Sequence, residues 1–242
     1  MIRLEPVMHF DTYIESLKEQ LISGTLPGLA AQMRLSPTGR IDHEYEAAPL
    51  GARRSAVLIA LFNRESADGS ADDRRSGDVS PTSHVTPTFP AIVRTEDGRP
   101  HSGQIALPGG ATEDGEEFPV GTALREAHEE IGIAPESIRV LGALTPLYIP
   151  VSNFTVTPVV GVIHDRRSPV YVPDPREVAD VITVRLDCLR DSVSSASFNT
   201  AHGTLHAPCY ELPDGEHGTL RIWGATAMML SELVECHRRI CS

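Results

Sequence analysis

Along residues 10–22, FDTYIESLKEQLI, apolar side chains recur at Phe10, Tyr13, Ile14, Leu17, Leu21 and Ile22. That three-and-four spacing gives a helix one apolar face, so an amphipathic N-terminal helix is predicted. The next stretch, SGTLPGLAAQMRLSPTGR, has no such period and reads as a looser segment running across the surface of the main body. SAVLIALF, Ser55 to Phe62, is a short apolar run of strand formers and reads as a buried strand. Asn63 to Thr88 is polar, rich in Ser, Asp, Gly and Pro, and aperiodic. By composition it is a long mobile loop. FPAIVR resumes as a strand, and the polar tip TEDGRPHSG leads into QIALPGG.

Beyond it, Pro119 suits the first turn of a helix that Gly132 ends. IRVLGALTPLYI and FTVTPVVGVIH read as two long strands separated by PVSN, and VADVITVRL as another. HAPCYEL and TLRIW flank PDGEHG, a hairpin with an Asp- and Gly-built turn. The closing stretch GATAMMLSELVECHRRI puts Ala225, Met228, Met229, Leu233 and Ile240 on one side of a helix, as core packing requires. Mixed strands with one helix among them and another at the end predict an α/β sandwich around a mixed sheet. Residues 1–50 read as an N-terminal helical extension packed on a main domain of residues 51–242, in which 63–88 is the loop.

Charge narrows the partners. Thirty-three acidic against twenty-one basic side chains give a net charge of −12 over 242 residues. A nucleic-acid backbone needs a basic face, so no nucleic-acid partner is expected. A divalent cation would be welcome at such a surface. No apolar run approaches the length that crosses a bilayer, so no membrane partner is expected either. The N-terminal MIRLEPVMHFDTYIESLKEQL lacks the apolar centre of a signal peptide, which points to the cytoplasm. Cys188, Cys209, Cys236 and Cys241 form no CxxC pair and read as thiols in a reducing compartment. His202 and His206 stand four apart in a segment bounded by Gly and Pro and read as loop residues.

One helix is oddly composed. In TALREAHEEIGI, Glu126, Glu129 and Glu130 crowd onto one face, where like charges repel, with Arg125 beside them. On its own, REAHEE fits a solvated helix face. Upstream, however, lie Gly109-Gly110, which allow backbone geometries closed to other residues, and a loop loaded with Glu113, Asp114, Glu116 and Glu117. A strand, a glycine-rich acidic loop and a glutamate-bearing helix together suit a hard cation with oxygen ligands, Mg²⁺ or Mn²⁺. Arg125 would partly neutralise the cluster and orient one carboxylate.

This segment resembles the Nudix box, GX₅EX₇REUXEEXGU, where U is a bulky aliphatic residue. REAHEEIGI matches its second half, with Ala127 in the first U place, while Gly110 to Arg125 is one residue longer than the general pattern. Counting from Gly110 makes Glu116 the loop glutamate, and counting from Arg125 makes it Glu117. The longer loop resembles the coenzyme A pyrophosphatase branch, roughly GGxxDxxDx₅TALREAxEExG, with Glu113 and Glu116 in the acidic places. HSGQIALPGG, LTPLYIPVSNFTVTPVVG, EVADV and IWGATAMMLSEL extend the likeness along the chain. Many members of that branch carry an upstream LLTxRSxxxRxHxG-like element. Here AIVRTEDGRPHSG lacks the RS pair and interposes two acids.

The resemblance implies a Nudix-type α/β/α sandwich and a metal-dependent hydrolase of a diphosphate linkage. Glu126 and Glu130 match metal-holding positions, Glu129 a position that binds metal or helps to activate water, and Arg125 the orienting arginine. Gly110 belongs to the metal set, and Gly109, Arg94 and Arg99 are candidates for substrate contact. Glu113, Glu116, Glu117 and Glu177 are accessory carboxylates. The implied substrate is coenzyme A or an acyl derivative, giving 4′-phosphopantetheine and adenosine 3′,5′-bisphosphate. ADP-ribose or another nucleoside diphosphate-X compound is the alternative, and a nucleotide-sensing module without turnover ranks below both. A homodimer is compatible with this reading.

Overall fold

The computed structural model describes residues 8–37, 48–63, 85–95, 103–164, 169–200, 203–214 and 218–241. Its centre is strand β1, Arg53–Asn63, which is buried along most of its length. Val57, Ile59 and Leu61 point to one core, and Ala56, Leu58, Ala60 and Phe62 to the other. A strand covered on both faces needs a nearly continuous apolar run, which SAVLIALF supplies.

Around β1 an eight-stranded mixed sheet assembles from β2 (Pro87–Arg94), β3 (Ile105–Ala106), β4 (Gly109–Ala111), β5 (Ile138–Ala143), β6 (Leu147–Ile149), β7 (Phe154–Ile163) and β8 (Val178–Arg185). The main path is β3-β2-β1-β7-β5; β4 pairs with β1, β6 with β7 and β8 with β2. β1 and β7 are parallel, from Arg53 opposite Phe154 to Leu61 opposite Val162, and the other pairs are antiparallel. Helix α3, Val120–Ile131, covers one face through Ala123, Ala127 and Ile131. Helices α1 (Phe10–Ile22) and α5 (Gly224–Ile240) cover the other. The fold is therefore a mixed α/β sandwich with helices on both faces.

Several expectations shift in detail. Ile22 is 66 % exposed. At about 100° per residue it falls well outside the stripe of Tyr13, Ile14, Leu17 and Leu21 that faces the core. The segment after α1 is not loose throughout. Leu29–Gln32 forms a helical turn, α2, and Met33–Leu35 a 3₁₀ turn; Ala31, Gln32 and Leu35 are buried. IRVLGALTPLYI breaks into β5 and β6 because, after Leu144 donates to the Pro158 carbonyl of β7, the Thr145 N–H turns to the Glu232 carboxylate and Pro146 has no N–H to donate. Of the segment read as a mobile loop, 64–84 lies outside the described residues. Its flanks are strand, since Asn63 ends β1 and Pro87 opens β2.

A second, three-stranded sheet has the order β11-β10-β9, with β9 at Val193–Thr200, β10 at Gly203–Asp214 and β11 at Gly218–Trp223. The β10–β11 pairing is the expected hairpin. β9 has no counterpart in the expectations, and His206 is not in a loop but in β10, opposite Ser197. Pairing on both sides of β10 imposes extension on a stretch whose own composition is turn-like. His202 lies outside the described residues. Nearly the whole middle of α5 is buried, beyond the one side its period marks, because α1 and α2 close over its second side. No described helix is long and apolar enough to cross a membrane.

Candidate active site

Small side chains let α3 lie close on β1: Ala123 and Ala127 meet Ala56, Leu58 and Ala60 with almost no exposure. That approach carries Glu126 and Glu130 down to β4. A Cβ at Gly110 would run into the Glu126 carboxylate, and one at Gly109 into the Ala56 carbonyl and Val57. Gly109 thus requires glycine for closeness of approach to the backbone, whereas at Gly110 a side chain would force the Glu126 carboxylate aside. The Gly109 N–H donates to Glu130 Oε2 at 2.8 Å. Gly132 closes the helix at φ 73°, its N–H returning to the His128 carbonyl.

Arg125 joins loop to helix. Its Nε donates to Glu116 Oε1 at 2.9 Å, Nη1 to Glu129 Oε2 at 3.0 Å, and Nη2 to the Ala111 carbonyl at 3.0 Å, with Glu126 Oε1 2.9 Å from Nη2. Glu116 also accepts from Thr122 Oγ1 at 2.6 Å and from the Glu113 N–H at 3.1 Å. The guanidinium bond holds the Glu116 carboxyl down to about 2, and the acids around Arg125, Glu116 foremost, push its own pKa up. Glu116, not Glu117, is therefore the loop glutamate tied to the arginine. Glu113 and Glu117 are exposed. Thr122 and the Ala111 carbonyl were not singled out in the sequence, although Thr122 stands in the TALREA run.

The three helix glutamates share a face but differ in setting. Glu129 is exposed on Arg125, Glu126 is half-buried, and Glu130 is 3 % exposed. Burial pushes Glu130 up to about 7; the Gly109 N–H and Arg94 oppose this, while the charges of Glu126 and Glu177 add to it. Burial likewise raises Glu126, against the pull of Arg125 and with the push of Glu129 and Glu177. Glu177 and Arg94 thus lie within the field of the cluster. Glu177 is brought there by a strap along the end of α3, where Val172 and Asp174 donate N–H groups to the Ile131 and Glu130 carbonyls. Arg94 ends β2. Arg99 lies outside the described residues.

Among the described residues, no three acidic, His or Cys side chains converge as a closed cage. Arg125 turns Glu129 aside, and Glu130 bends under to Gly109. The donor set nevertheless fits a hard cation. It consists of carboxylate and backbone oxygens, it carries more negative charge than Arg125 and Arg94 offset, and Mg²⁺ commonly keeps several waters with only one or two carboxylates. A first test is Gly110→Ala. Its Cβ would displace the Glu126 carboxylate, and kcat is expected to fall about a hundredfold with the melting temperature little changed. Activity within a few-fold of wild type would show that the close approach is not needed.

The NUDIX domain family model matches residues 91–201, which hold the second half of β2, the glycine loop, α3 and β5 to β9. The chain is 46 % identical over 156 residues to an uncharacterized Nudix hydrolase, NudL, of Pectobacterium atrosepticum, covering 64 % of this chain and 66 % of that one. It is 38 % identical over 117 residues to a NudL of Klebsiella aerogenes, covering 48 % of this chain and 80 % of that one. Among solved structures it is similar to the Nudix hydrolase RenU of M. smegmatis, with TM-score 0.46 and 18 % identity over 85 % of this chain and 94 % of that one. The chain belongs to the Nudix hydrolases. That class hydrolyses diphosphate linkages in small nucleotide-linked molecules and generally uses divalent metal ions.

Proposed function

We propose that the chain hydrolyses the diphosphate linkage of coenzyme A or an acyl derivative, releasing 4′-phosphopantetheine, acylated or not, and adenosine 3′,5′-bisphosphate. The observation that carries the hydrolytic reading is Glu130: a carboxylate 3 % exposed, with Glu126 and Glu177 adding negative charge and, among the described residues, Arg94 and one N–H opposing it. Such a group is stable as an anion only beside a cation. The coenzyme A assignment is supported by the long acidic loop and by the flanking segments quoted above. Four free cysteines suit a cytoplasmic setting.

Glu126 and Glu130, with Glu129 and the Gly110 carbonyl beside them, would hold Mg²⁺ or Mn²⁺. Bound there, the ion supplies neutralisation of the diphosphate oxygens and acidification of water. Arg125 keeps Glu126 and the loop in place and leaves the cluster partly uncompensated. Glu129, exposed on the helix face, would accept the proton of the attacking water. Water adds to phosphorus, the bridging P–O bond breaks, and two phosphomonoesters leave. Arg94 bears on the charge of the substrate's phosphates.

Chelation is expected to abolish turnover, and Mg²⁺ or Mn²⁺ to restore it. Because Glu130 holds its proton up to about 7, a cation must displace that proton. Calorimetric affinity for the metal should therefore climb with pH to about 7 and level off above it. In the metal-free protein the folded state keeps a proton that the unfolded chain releases above about 4.5, so stability should fall as pH rises between these values. Full hydrolysis in excess chelator would sink the reading.

Substrate identity is tested with coenzyme A, 3′-dephospho-coenzyme A, ADP-ribose and NADH. With net charge −12 the overall field repels an extra phosphate, so its recognition must be local. Coenzyme A should be cleaved more efficiently than its 3′-dephospho form. Arg94→Ala or Arg99→Ala should narrow that gap, chiefly through KM. Equal kcat/KM for the two would favour the broader nucleoside diphosphate-X reading, which the missing RS pair also supports.

A further inference from the structure

β9 stands at the edge of the three-stranded sheet, paired with β10 on one side and with no described strand on the other. Its register runs unbroken from Val193 opposite Tyr210 to Thr200 opposite Gly203. The Glu211 N–H donates to the Ser192 carbonyl at 2.8 Å, and hydrogen-bonded pairs alternate along an antiparallel ladder. Ser194, Ala196, Phe198 and Thr200 therefore bond to β10, while Val193, Ser195, Ser197 and Asn199 turn their N–H and C=O groups outward. Among the described residues these outward groups meet no backbone partner. Folded proteins blunt such an edge with charge, proline or a bulge. VSSASFNT has no charged residue and no proline, and its ladder has no bulge.

The strand also complements itself. Let two copies of β9 pair antiparallel through their outward groups, about a two-fold axis at Ala196. Val193 then faces Asn199 and Ser195 faces Ser197 in hydrogen-bonded pairs; between them Ala196 faces Ala196 and Ser194 faces Phe198 at closer range. Every pair is uncharged, and each Phe198 ring, stacked on Trp223 at 4.3 Å between centroids, meets a small serine of the other copy. The faces stay in phase, with exposed Val193, Ser195, Ser197 and Asn199 on one and half-buried Ser194, Ala196 and Phe198 on the other. In a chain of net charge −12, an uncharged edge is where a second copy is least repelled.

We infer that β9 is the seam through which two copies of this chain pair, joining their small sheets in the order β11-β10-β9-β9-β10-β11. Main-chain hydrogen bonds supply the affinity, and the register centred on Ala196 supplies the specificity. A seam of one strand buries little area, so the dimer is reversible and forms with rising concentration. No ion pair crosses it. Salt screens the repulsion between two chains of net charge −12 and so strengthens it.

Sedimentation equilibrium of the full chain should show a mass climbing from 26.2 kDa toward twice that value with concentration, and climbing sooner at high salt. Ser195→Pro removes an outward N–H from each strand and none that β10 uses. It should raise the dimer midpoint roughly tenfold, as the loss of two hydrogen bonds does. Ser195→Asp/Ser197→Asp sets carboxylates along the exposed face of the seam, should abolish the dimer, and serves if the proline variant folds poorly. Register is read by Ala196→Cys, which should cross-link two copies under mild oxidation because its partner is its own equivalent. Asn199→Cys, whose equivalent lies at the far end of the seam, should cross-link no more than wild type. A chain that stays at 26.2 kDa at roughly millimolar concentration refutes the pairing. Slow amide exchange at Ser195 and Ser197 in that monomer would mean that another segment of the chain covers the edge. A dimer that neither variant weakens, or that cross-links equally through Asn199→Cys, refutes β9 as its seam.

Discussion

Glu130→Gln is expected to lower kcat by two to three orders of magnitude, about what removal of one principal charge-stabilising group costs, without loss of the fold. Glutamine has nearly the same shape, and its carbonyl oxygen can still accept from the Gly109 N–H that Glu130 Oε2 holds at 2.8 Å. What disappears is the negative charge, in a place where burial already pushes the carboxyl to about 7. The neutral amide avoids that burial cost, so above pH 7 the metal-free variant should melt no lower than wild type. Glu113→Gln is the matched control, since Glu113 is exposed in the loop. It should stay within a few-fold of wild type. Circular dichroism melts and steady-state rates over a metal titration read both quantities. A Glu130→Gln enzyme within a few-fold of wild type, in kcat and in metal dependence, would exclude Glu130 as a principal ligand.

The three glutamates show where sequence pattern stops. Their helical spacing put Glu126, Glu129 and Glu130 on one face, and they are on one face. Spacing carries no information on depth, and depth separates them: Glu130 is under the helix, Glu129 is in solvent on Arg125, and Glu126 is between. Counting left Glu116 and Glu117 as equal choices because the loop holds one residue more than the general box. The bond from Arg125 to Glu116 decides it. β1 was legible because burial on both faces leaves a continuous apolar run, and α1 because burial on one face leaves a period. β9 was not, because VSSASFNT owes its extension to β10 and little to its own residues. The turns at Leu29–Gln32 and Met33–Leu35 were missed for a similar reason. Their anchor is a charged residue nearly 200 positions away, on α5.

That anchor, Glu232, supports the second large effect. It is fully buried on α5, in a helix whose apolar period marks it for no special role. Its Oε1 accepts from the Gly28 N–H at 3.0 Å and Thr145 Oγ1 at 2.7 Å; its Oε2 accepts from Gln32 Nε2 at 2.8 Å and the Thr145 N–H at 3.1 Å. One carboxylate thus fastens the segment after α1 and the break between β5 and β6 to the closing helix. Glu232→Ala would take the acceptor from the Gly28 and Thr145 N–H groups and the Thr145 hydroxyl, while Gln32 Nε2 would keep only the Thr145 carbonyl at 2.7 Å. Leaving such donors without an acceptor costs about 1–3 kcal/mol each, so a loss of about 3–5 kcal/mol is expected, against a total stability of about 5–15 kcal/mol for a folded domain. A melting temperature lower by roughly 10 °C is expected for a chain of this size. Glu235→Ala, one turn on and paired with exposed Arg34 at 2.7 Å, should cost about 1 kcal/mol or less. Near room temperature Glu232→Ala should keep its kcat, because none of its partners lies in the loop or on α3. A Glu232→Ala melt within two or three degrees of the Glu235→Ala melt (about 1 kcal/mol for a chain of this size) would mean that the N-terminal segment is held by its apolar contacts and its other hydrogen bonds, such as that from Ser231 Oγ to the Ala31 carbonyl.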